Sequence, residues 1–351
     1  MIRVAILGAG IGGQHLDGFR ALPDLFDVRV ICDLNLERAK ALLKDGESIA
    51  ASDDVAAVLA DPDIDLIDVC LPPHLHLSMS KQVLEAGKRV ICEKPMVRSL
   101  AEADDLIKAA KAADKQVFPV FQYRYGSGTD RLKALMEAEM VGKPLVATVE
   151  THWNRQEDYY EVDWRGTWAG ESGGAVLGHA IHNHDLLCRV MGPVASLFAM
   201  LDTRVNDIEV EDCAAISMRM QNGALATSSV TLGSSQEITR LRFVFSDLTV
   251  ESDTAPYAPA EGNWRFIARN PDNQQQVDAI VASHGDVKSS FTGFFEAISK
   301  ALNGKPGTEV TISDGRHSIE FVTAIYQSAR SGSAVTLPLG QNAELYQGWL
   351  P

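Results

Sequence analysis

The sequence predicts a two-domain α/β protein. The N-terminal domain is expected to hold a doubly wound parallel sheet, and the C-terminal α+β domain a large, mostly antiparallel open sheet. Three observations predict this fold class: strand-type and helix-type segments alternate early in the chain, a glycine-rich turn follows the first strand, and long β-type runs dominate later. A chain of 351 residues suits two domains. We place them at residues 1–122 and 123–351, with a final helix at about 314–331 that is able to pack back on the first domain.

The N-terminal domain is predicted as successive strand–helix units. Ile64–Leu71 is almost continuously apolar, which is typical of a parallel strand covered on both faces. Ser52 and Asp53 can cap a helix through Leu59, Ser99 can cap a helix to about Ala113, and Gly87 ends a helix. Strands are predicted at 2–7, 28–32, 64–71, 89–92 and 116–121, and helices after the glycine turn and at 36–44, 53–59, 75–86 and 99–113.

The C-terminal domain is predicted from long β-type runs. After a helix near 130–139, these runs cover 145–153, 195–201, 214–220, 224–232 and 239–250. Asn222-Gly223 between two of them predicts a tight hairpin turn. Two helices follow, at about 287–303 and 314–331. Helices would cover one face of this sheet, and a partner subunit would bury the other, which predicts a homodimer or homotetramer.

A glycine-rich turn suggests the function of the first domain. The apolar strand Ile2–Leu7 is followed by Gly8, Gly10 and Gly13 in a G-x-G-x-x-G pattern that opens a helix. In this pattern the first glycine allows a sharp turn, the second allows a pyrophosphate to approach the backbone, and the third allows close packing of helix on strand. The helix N-terminus, with Ile11 and Gly12, would offer free N–H groups to the phosphates. We therefore predict a dinucleotide site.

Asp33 indicates which dinucleotide is bound. It ends the second apolar run, 25 positions after Gly8, near the spacing expected for the acid that binds the adenosine ribose. A carboxylate there accepts hydrogen bonds from ribose hydroxyls and repels a 2′-phosphate, so NAD is favoured over NADP. In the alternative interpretation Asp33 only caps the helix that starts near Asn35.

Composition restricts the classes of partner. A net charge of −15 disfavours nucleic acid and anionic membranes. No stretch reaches 18 apolar residues, and the N-terminal apolar run is the first strand rather than a signal peptide, so we expect a cytoplasmic protein without a membrane partner. The five cysteines show no C-x-x-C spacing, which favours reduced thiols over disulfides or a metal site.

Lys94 is the first candidate for proton transfer. It follows the predicted strand Arg89–Cys92, and ligands in such sheets bind beyond the carboxyl ends of the strands. Partial desolvation would lower the pKa of the amine towards working pH, so that it could take a proton from a hydroxyl while hydride leaves the same carbon. The alternative is a solvated loop lysine paired with Glu93.

A second candidate site is a cluster of histidines. His179, His182 and His184 lie within six residues, and His179, His182 and Asp185 would form one polar stripe on a helix. Such a stripe among apolar residues needs partners. A metal site and a purely structural cluster remain as alternatives, but a sugar-binding or proton-relay site is favoured beside a redox cofactor.

These residues resemble the glucose–fructose oxidoreductase/inositol dehydrogenase family (Gfo/Idh/MocA), and the similarity covers nearly the whole chain. The matching features are Gly8–Gly13, Asp33, Pro72 with His76, Ala86-Gly87-Lys88, Cys92-Glu93-Lys94-Pro95, Trp164-Arg165, Ser172–Ala175, His182 with Asp185, and the late segments Asp314-Gly315 and Ser328–Gly332. The Glu-Lys-Pro motif is specific in combination with the glycine turn.

The resemblance implies a Rossmann domain and an NAD(P)-dependent enzyme acting on a carbohydrate or cyclitol. It implies that Lys94 is the catalytic lysine and that His182 is a catalytic or substrate-binding histidine. Asp185 matches an acid on the substrate side. The other matched positions are implied to bind cofactor or substrate: Leu71, Pro72, Pro73, His76, Glu93, Gln122, Arg124, Trp164 and Arg165.

One departure from the family pattern is plain. Members of the family commonly have an acid or amide four residues before the position of His182, whereas this chain has Gly178 there. They commonly have a glycine two residues before that histidine, where this chain has Ala180. His179 would fill that space or bind a different hydroxyl. The chain therefore departs from the common family pattern at two positions around His182.

An aromatic and basic group can shape the substrate pocket. Aromatic faces can pack on the apolar faces of sugar rings, and arginines can bind a carboxylate or phosphate. The alternative is packing within the domain core, which is favoured for Trp164 and Arg165. The group comprises His152, Trp153, Arg155, Tyr159, Tyr160, Trp164, Arg165 and Trp168.

The sequence thus predicts an NAD-dependent oxidoreductase that transfers hydride between nicotinamide and a sugar, sugar derivative or cyclitol. Lys94 would exchange the hydroxyl proton with help from His182, while Asp185, His179 and Gln122 orient hydroxyls. One alternative is an enzyme that retains NAD and oxidises the sugar transiently, to permit elimination, hydrolysis or epimerisation. A second is a non-catalytic sugar or dinucleotide sensor.

Overall fold

The computed structural model describes all residues, Met1–Pro351, in two compact units. The first unit comprises Met1–Val120 and Phe291–Ile319, and the second comprises Phe121–Ser290 and Glu320–Pro351. The first unit therefore includes a late segment, Phe291–Ile319, that the sequence analysis assigned to the second domain. None of the helices has both the length and the apolar character needed to cross a membrane.

The elements of the early chain alternate as predicted, except that the short strand Ala50–Ser52 was not predicted. In order they are β1 Ile2–Leu7, α1 Gly12–Arg20, β2 Phe26–Cys32, α2 Leu36–Ala41, β3 Ala50–Ser52, α3 Val55–Ala60, β4 Leu66–Val69, α4 His76–Glu85, β5 Arg89–Cys92, α5 Leu100–Ala113 and β6 Val117–Pro119. The strands form one parallel sheet in the order β3-β2-β1-β4-β5-β6. Because the strand order reverses beside β1, the carboxyl ends of β1 and β4 border the crevice where such sheets bind ligands.

The later chain adds a second sheet and most of its helices. The elements are α6 Ser127–Glu137, β7 Pro144–Asn154, α7 Trp168–Glu171, α8 Ile181–Met191, β8 Val194–Asp202, β9 Cys213–Met220, β10 Leu225–Thr231, β11 Gly233–Phe245, β12 Leu248–Glu251, β13 Arg265–Ala268, α9 Gln274–Ser283, α10 Ser290–Leu302, α11 Ile312–Ser331 and β14 Val335–Thr336. The eight strands follow the order β13-β12-β11-β7-β10-β9-β8-β14, and only β7 and β10 pair in parallel. The predicted fold class is confirmed.

Local signals explain several element boundaries. Ser99 caps α5, since its hydroxyl accepts a hydrogen bond from the Glu102 N–H at 3.0 Å, as predicted. The Asn222-Gly223 hairpin is confirmed: β9 and β10 pair antiparallel, and Gly223 has a φ of +92°. The cap of α3 differs from the prediction, because Asp54 caps this helix while Ser52 ends the short strand β3.

The predicted strand at 239–250 is wrong in one respect, because the segment forms two strands. β11 and β12 pair antiparallel around a turn at Ser246 and Asp247, residue types that favour turns. The Ser246 N–H donates to Lys143 O at 2.8 Å, and the Asp247 N–H donates to Val141 O at 3.1 Å. These contacts with a segment about 100 residues earlier hold the turn, and they are not visible in local sequence.

Candidate active site

The glycine-rich turn after β1 is built for close backbone approach. Gly8 has a φ of +105°, and a Cβ there would lie 2.3 Å from the Cys70 carbonyl oxygen, so only glycine fits. A Cβ on Gly10 would meet nothing nearer than Arg38 Nη2 at 3.4 Å. Helix α1 has no side-chain cap and no acidic residue in its first turn, which leaves its N-terminus suited to an anion. These residues fit the pyrophosphate of a dinucleotide.

The packing contacts of the neighbouring glycines differ from the prediction. The glycine pattern predicts close helix–strand packing at Gly13. In the structure, a Cβ on Gly12 would lie 2.9 Å from Ile6 of β1, whereas one on Gly13 would lie 3.1 Å from Leu42, just after α2. Gly12 therefore makes the contact with the strand. Ile11 precedes α1 and is 36% exposed at the turn.

Asp33 is aligned with this turn rather than used as a helix cap. Its Oδ2 accepts a hydrogen bond from the Ala9 N–H at 2.7 Å, and its Oδ1 accepts one from the Asn35 N–H at 2.8 Å. The cap of α2 is Asn35, whose side chain accepts from Glu37 and Arg38. The alternative in which Asp33 caps this helix is therefore wrong. Arg38 Nη1 lies 3.9 Å from the same carboxylate.

His76 lies between the loops that follow β4 and β5. Its Nδ1 is 2.7 Å from the Pro95 carbonyl oxygen, its Nε2 is 2.7 Å from the Leu71 carbonyl oxygen, and the ring is fully buried. The loop residues Leu71 and Pro72 are half-buried. A fully buried ring that lies between two backbone carbonyl oxygens positions these loops, and it presents no surface for direct contact with a cofactor.

Lys94 follows β5 at the carboxyl edge of the sheet, and its side chain is half-buried. The preceding residue, Glu93, is buried, and its Oε2 accepts a hydrogen bond from the Lys94 backbone N–H at 2.9 Å. The other oxygen, Oε1, lies 3.0 Å from Nε2 of His15. Sequence reasoning did not identify His15 as a functional candidate. The available signal was a histidine on the apolar face of α1, two residues after the last glycine of the turn.

The histidine cluster belongs to the second unit. A π-helical turn, Val176–Ala180, runs into α8, and it carries His179 while α8 carries His182 and Asp185. All three are buried, with 5–7% exposure. The Tyr123 ring lies 4.6 Å from that of His182, and Phe121 lies 5.9 Å from it. Sequence-distant residues therefore surround the predicted polar stripe.

The third histidine of the cluster has a different environment. His184 Nε2 is 2.9 Å from the Ser228 hydroxyl, and its ring packs on Phe321. Burial lowers its pKa to about 4, so the ring is neutral at working pH. His184 is thus a core residue, whereas a Cβ added to the nearby Gly178 would meet nothing within 4 Å. The expectation that His179 takes the place of the missing acid stays a prediction.

Asp185 and two neighbouring positions form a polar group. Arg124 binds both carboxylate oxygens of Asp185, at 2.6 Å each. Gln122 begins the short 3₁₀ turn that contains Arg124, and its buried side-chain oxygen has no hydrogen-bond partner in the protein. An unsatisfied buried amide oxygen is suited to a donor from a ligand.

Only some residues of the aromatic and basic group are exposed. Trp153 is 4% exposed, donates to the Thr239 hydroxyl and packs edge-on against His179. Arg155 contacts the Trp153 ring and pairs with Glu237 at 2.6 Å. It also lines an open pocket of about 590 Å³ together with Asn154, Gln156, Asp158 and Tyr159.

Trp164 and Arg165 do not form a domain core. Trp164 is 38% exposed, and Arg165 lies 3.9 Å from the centre of the Tyr159 ring and 4.9 Å from that of Trp164. The preferred interpretation of these two residues, packing within the core, is therefore wrong for Trp164. Both belong to the second unit, whereas the glycine turn, Asp33 and Lys94 belong to the first.

Comparison with known proteins gives consistent results. The family model described as "Oxidoreductase family, NAD-binding Rossmann fold" matches residues 2–121, and the model for the GFO/IDH/MocA C-terminal domain matches 129–251. Together they span more than half of the chain.

Relatives and solved structures extend the match. The chain is 28% identical over 232 residues to myo-inositol 2-dehydrogenase of Thermotoga maritima, covering 64% of this chain and 66% of the relative, just under two thirds of its length. It is 25% identical over 361 residues to D-glucoside 3-dehydrogenase of Escherichia coli, covering 96% and 97%. The WlbA dehydrogenase of Bordetella pertussis, solved with NADH and UDP-GlcNAcA, superimposes with a TM-score of 0.83 at 27% identity, over 97% of this chain and 99% of that one. This chain belongs to the GFO/IDH/MocA family of oxidoreductases, whose N-terminal domain is an NAD-binding Rossmann fold.

Proposed function

We propose that the protein is an NAD-dependent dehydrogenase that interconverts a secondary alcohol and a ketone, or a lactol and a lactone, on a sugar, sugar derivative or cyclitol. The position of Lys94 carries this proposal. It lies two residues after β5, at the carboxyl edge of the sheet whose first turn fits a dinucleotide, and Glu93 holds its backbone. Relatives named as inositol and glucoside dehydrogenases support the substrate class.

In this proposal the cofactor and the side chains of the protein perform three separate tasks. NAD, when bound, supplies the acceptor for hydride. Lys94 takes the hydroxyl proton through Nζ, and His182 assists it as a proton-exchanging or hydroxyl-binding ring. The amide of Gln122 and the Arg124–Asp185 pair orient substrate hydroxyls.

The cofactor contacts divide between the backbone and side chains. The turn Gly8–Gly13 would bind the pyrophosphate, and Asp33 would accept from the adenosine ribose. Leu71 and Pro72 would line the path of the cofactor, while His76 and Glu93 hold that path in place. Trp164 and Arg165 stay proposed cofactor contacts, as the resemblance implies. His179, Trp153 and Arg155 would complete the sugar-binding surface.

A substitution of Lys94 tests the proposal. Lys94→Ala should bind NAD with unchanged affinity but lose turnover by about 10³-fold, because the proton acceptor is gone. Lys81→Ala is the matched control, since this lysine of the same unit pairs with Asp105 at the surface. The substrate panel should contain cyclitols, glucosides, aldoses, sugar acids and UDP-linked uronic acids, read by reduced-nicotinamide absorbance. Retained turnover in Lys94→Ala would remove this residue from the mechanism.

The same panel separates the alternatives. An enzyme that oxidises the sugar only transiently would co-purify with NAD and release product without net NADH. A sensor would bind a sugar and turn over none of the panel. Net NADH formation that depends on Lys94 supports the dehydrogenase, which the names of the relatives also favour.

We further propose that the exposed face of the second sheet pairs with another copy of the chain. Phe198 and Met200 on β8 and Leu225 on β10 are exposed large apolar residues of this sheet. Light scattering after size exclusion should give a dimer or tetramer, and Met200→Glu should shift it towards monomer. A monomeric wild-type protein would contradict this proposal. The cytoplasmic location stays a prediction.

A further inference from the structure

In the first unit, hydrogen-bonding contacts link three buried side chains next to the loop that carries Lys94. These side chains are His15, Asp68 and Glu93. His15 on α1 is fully buried. Its Nδ1 is 2.8 Å from Oδ2 of Asp68 on β4, and its Nε2 is 3.0 Å from Oε1 of Glu93, just after β5. Phe291 and Phe295 cover the ring, with centroid distances of 4.4 and 5.6 Å, and so exclude water. One imidazole thus joins a helix and two strands.

The surroundings of the ring favour its doubly protonated form. Both of its nitrogens face carboxylates, which accept hydrogen bonds and do not donate them when ionised. Burial opposes the charge, but the carboxylate of Asp68 holds the pKa of His15 well above its usual range. The buried imidazolium therefore has a carboxylate partner on each side.

The geometry favours protons over a metal ion at this cluster. Ligand atoms of His15, Asp68 and Cys70 lie within 4.8 Å of one another. However, Asp68 occupies the direction of Nδ1 at an ordinary hydrogen-bond distance, and Cys70 Sγ lies 3.4 Å from the same nitrogen. Burial raises the pKa of the Cys70 thiol far above its usual value, so the sulfur keeps its proton in the metal-free protein.

This set of hydrogen bonds ends at the backbone of Lys94. Glu93 divides its oxygens: Oε1 faces His15, and Oε2 accepts from the Lys94 N–H at 2.9 Å. A restrained carboxylate keeps its oxygen on that N–H, whereas rotation of the carboxylate would release it. With His15 in place, the carboxylate is held at both oxygens.

We propose that His15 is a positioning residue, which fixes the Glu93 carboxylate and through it the backbone of Lys94, so that helix α1 and the lysine keep one spacing. This inference rests on the proposed function for the role of Lys94. The helix that would receive the pyrophosphate and the amine that would exchange the proton are then parts of one hydrogen-bonded frame. Misplacement of a reacting group by about 1 Å can cost on the order of 100-fold in rate.

Amide hydrogen exchange of the protein without added substrate tests the link directly. In His15→Asn, the peptide that contains residues 92–98 should exchange at least about ten-fold faster, while peptides of the second unit keep wild-type rates. Phe291→Leu is the control for packing, because it loosens the cover of the ring and leaves all three charged groups. Wild-type exchange at residues 92–98 in His15→Asn, or equal acceleration in Phe291→Leu, would overturn the proposal.

A second variant keeps the test valid should His15→Asn fail to fold. Glu93→Ala removes the acceptor of the Lys94 N–H and leaves His15 with its Asp68 partner. The same peptide should exchange faster in this variant, because the Lys94 N–H has lost the carboxylate that holds it. Unchanged exchange in a folded Glu93→Ala protein would also overturn the proposal.

Kinetics then distinguish action through Glu93 from a general loss of order. His15→Asn should lower kcat about ten-fold, with KM and the Kd for NAD within about three-fold. The double variant His15→Asn/Glu93→Gln should be no slower than Glu93→Gln alone, because both changes break the same link. Additive losses would contradict the proposal. A wild-type protein that turns over no sugar would contradict the proposed function instead, while hydrogen exchange still decides the role of His15.

Discussion

Arg124 binds Asp185 as a two-pronged ion pair in the second unit. Nε donates to Oδ2 and Nη2 to Oδ1, each at 2.6 Å, and the two side chains are 8% and 5% exposed. The pair connects the short turn that carries Gln122 with the helix that carries His182. Asp185 therefore has a structural partner in addition to any substrate hydroxyl.

Removing one member of this pair should destabilise the protein. We expect Arg124→Gln to lower the free energy of unfolding by about 3 kcal/mol, because it leaves a buried carboxylate without its cation. Arg124→Lys should restore only part of the loss, since an ammonium cannot make two parallel hydrogen bonds. Chemical denaturation measures both changes. Arg189→Gln, an exposed arginine on the same helix, is the control and should change stability by less than about 0.5 kcal/mol; an equal effect in the control would refute the assignment.

Asp33 should determine the preference for NAD. In Asp33→Asn we expect the Kd for NAD to rise about ten-fold, because a charged acceptor is lost, and the Kd for NADP to fall. Arg38, 3.9 Å from Asp33, would then be free to pair with the 2′-phosphate. Fluorescence titration with both dinucleotides gives the ratio. Asp53→Asn, an exposed acid of the same unit, should leave the ratio unchanged; an unaltered ratio in Asp33→Asn would show that this carboxylate does not discriminate.

Two glycines of the turn should fail in different ways when changed to alanine. Gly8→Ala should destabilise the fold by about 3 kcal/mol or more, because φ is +105° and the new Cβ would lie 2.3 Å from the Cys70 carbonyl oxygen. Gly10→Ala should fold normally, since its Cβ meets only the end of the Arg38 side chain at 3.4 Å. It should nevertheless weaken NAD binding at least about ten-fold by occupying the space of the pyrophosphate. Thermal melting and calorimetry with NAD separate the two effects, and equal melting temperatures for both variants would contradict this assignment.

Glu211 should make stability depend on pH. It is buried, accepts hydrogen bonds from the Gly174 and Val176 N–H groups and from the Tyr326 hydroxyl, and so anchors the segment that leads to His179 and His182. Burial raises its pKa from 4.5 to about 7. Between those values the unfolded chain loses this proton and the folded chain keeps it, so stability should fall by roughly 3 kcal/mol as pH rises from 4.5 to 7.

The matching variant isolates this group. Glu211→Gln carries no titrating proton, so its stability curve should lack the decline between pH 4.5 and 7 that the wild type shows. Urea unfolding at pH 5, 6, 7 and 8 for both proteins provides the comparison. Parallel curves for the two proteins would assign the pH dependence to other groups.

Much of the fold could be predicted because its signals are local. A strand run followed by glycines predicted β1, the turn and α1, and Ser99 predicted the start of α5 within one residue. The break between β11 and β12 was missed because Ser246 and Asp247 take their backbone partners from Val141 and Lys143. Helix α9 was missed as well.

Some residues of the candidate site could likewise be predicted from local signals, and others could not. Asp33, Lys94 and His182 stand out from residue type and spacing, since each follows or lies within a recognisable element. His15 did not stand out, because its partners lie 53 and 78 residues away. The hydrogen-bonded partner of Asp185 was likewise invisible, since Arg124 lies 61 residues earlier.

The sequence by itself determined that the chain would form a parallel sheet with a dinucleotide turn, followed by a largely antiparallel sheet, since hydrophobic period, caps and glycines act over a few residues. Only the tertiary structure decided which polar groups meet in the interior. It placed His15 between Asp68 and Glu93, and it made His184 a core residue. Burial makes such contacts necessary, because a buried charge is no longer solvated by water and needs a partner within the protein. That partner is set by the tertiary structure.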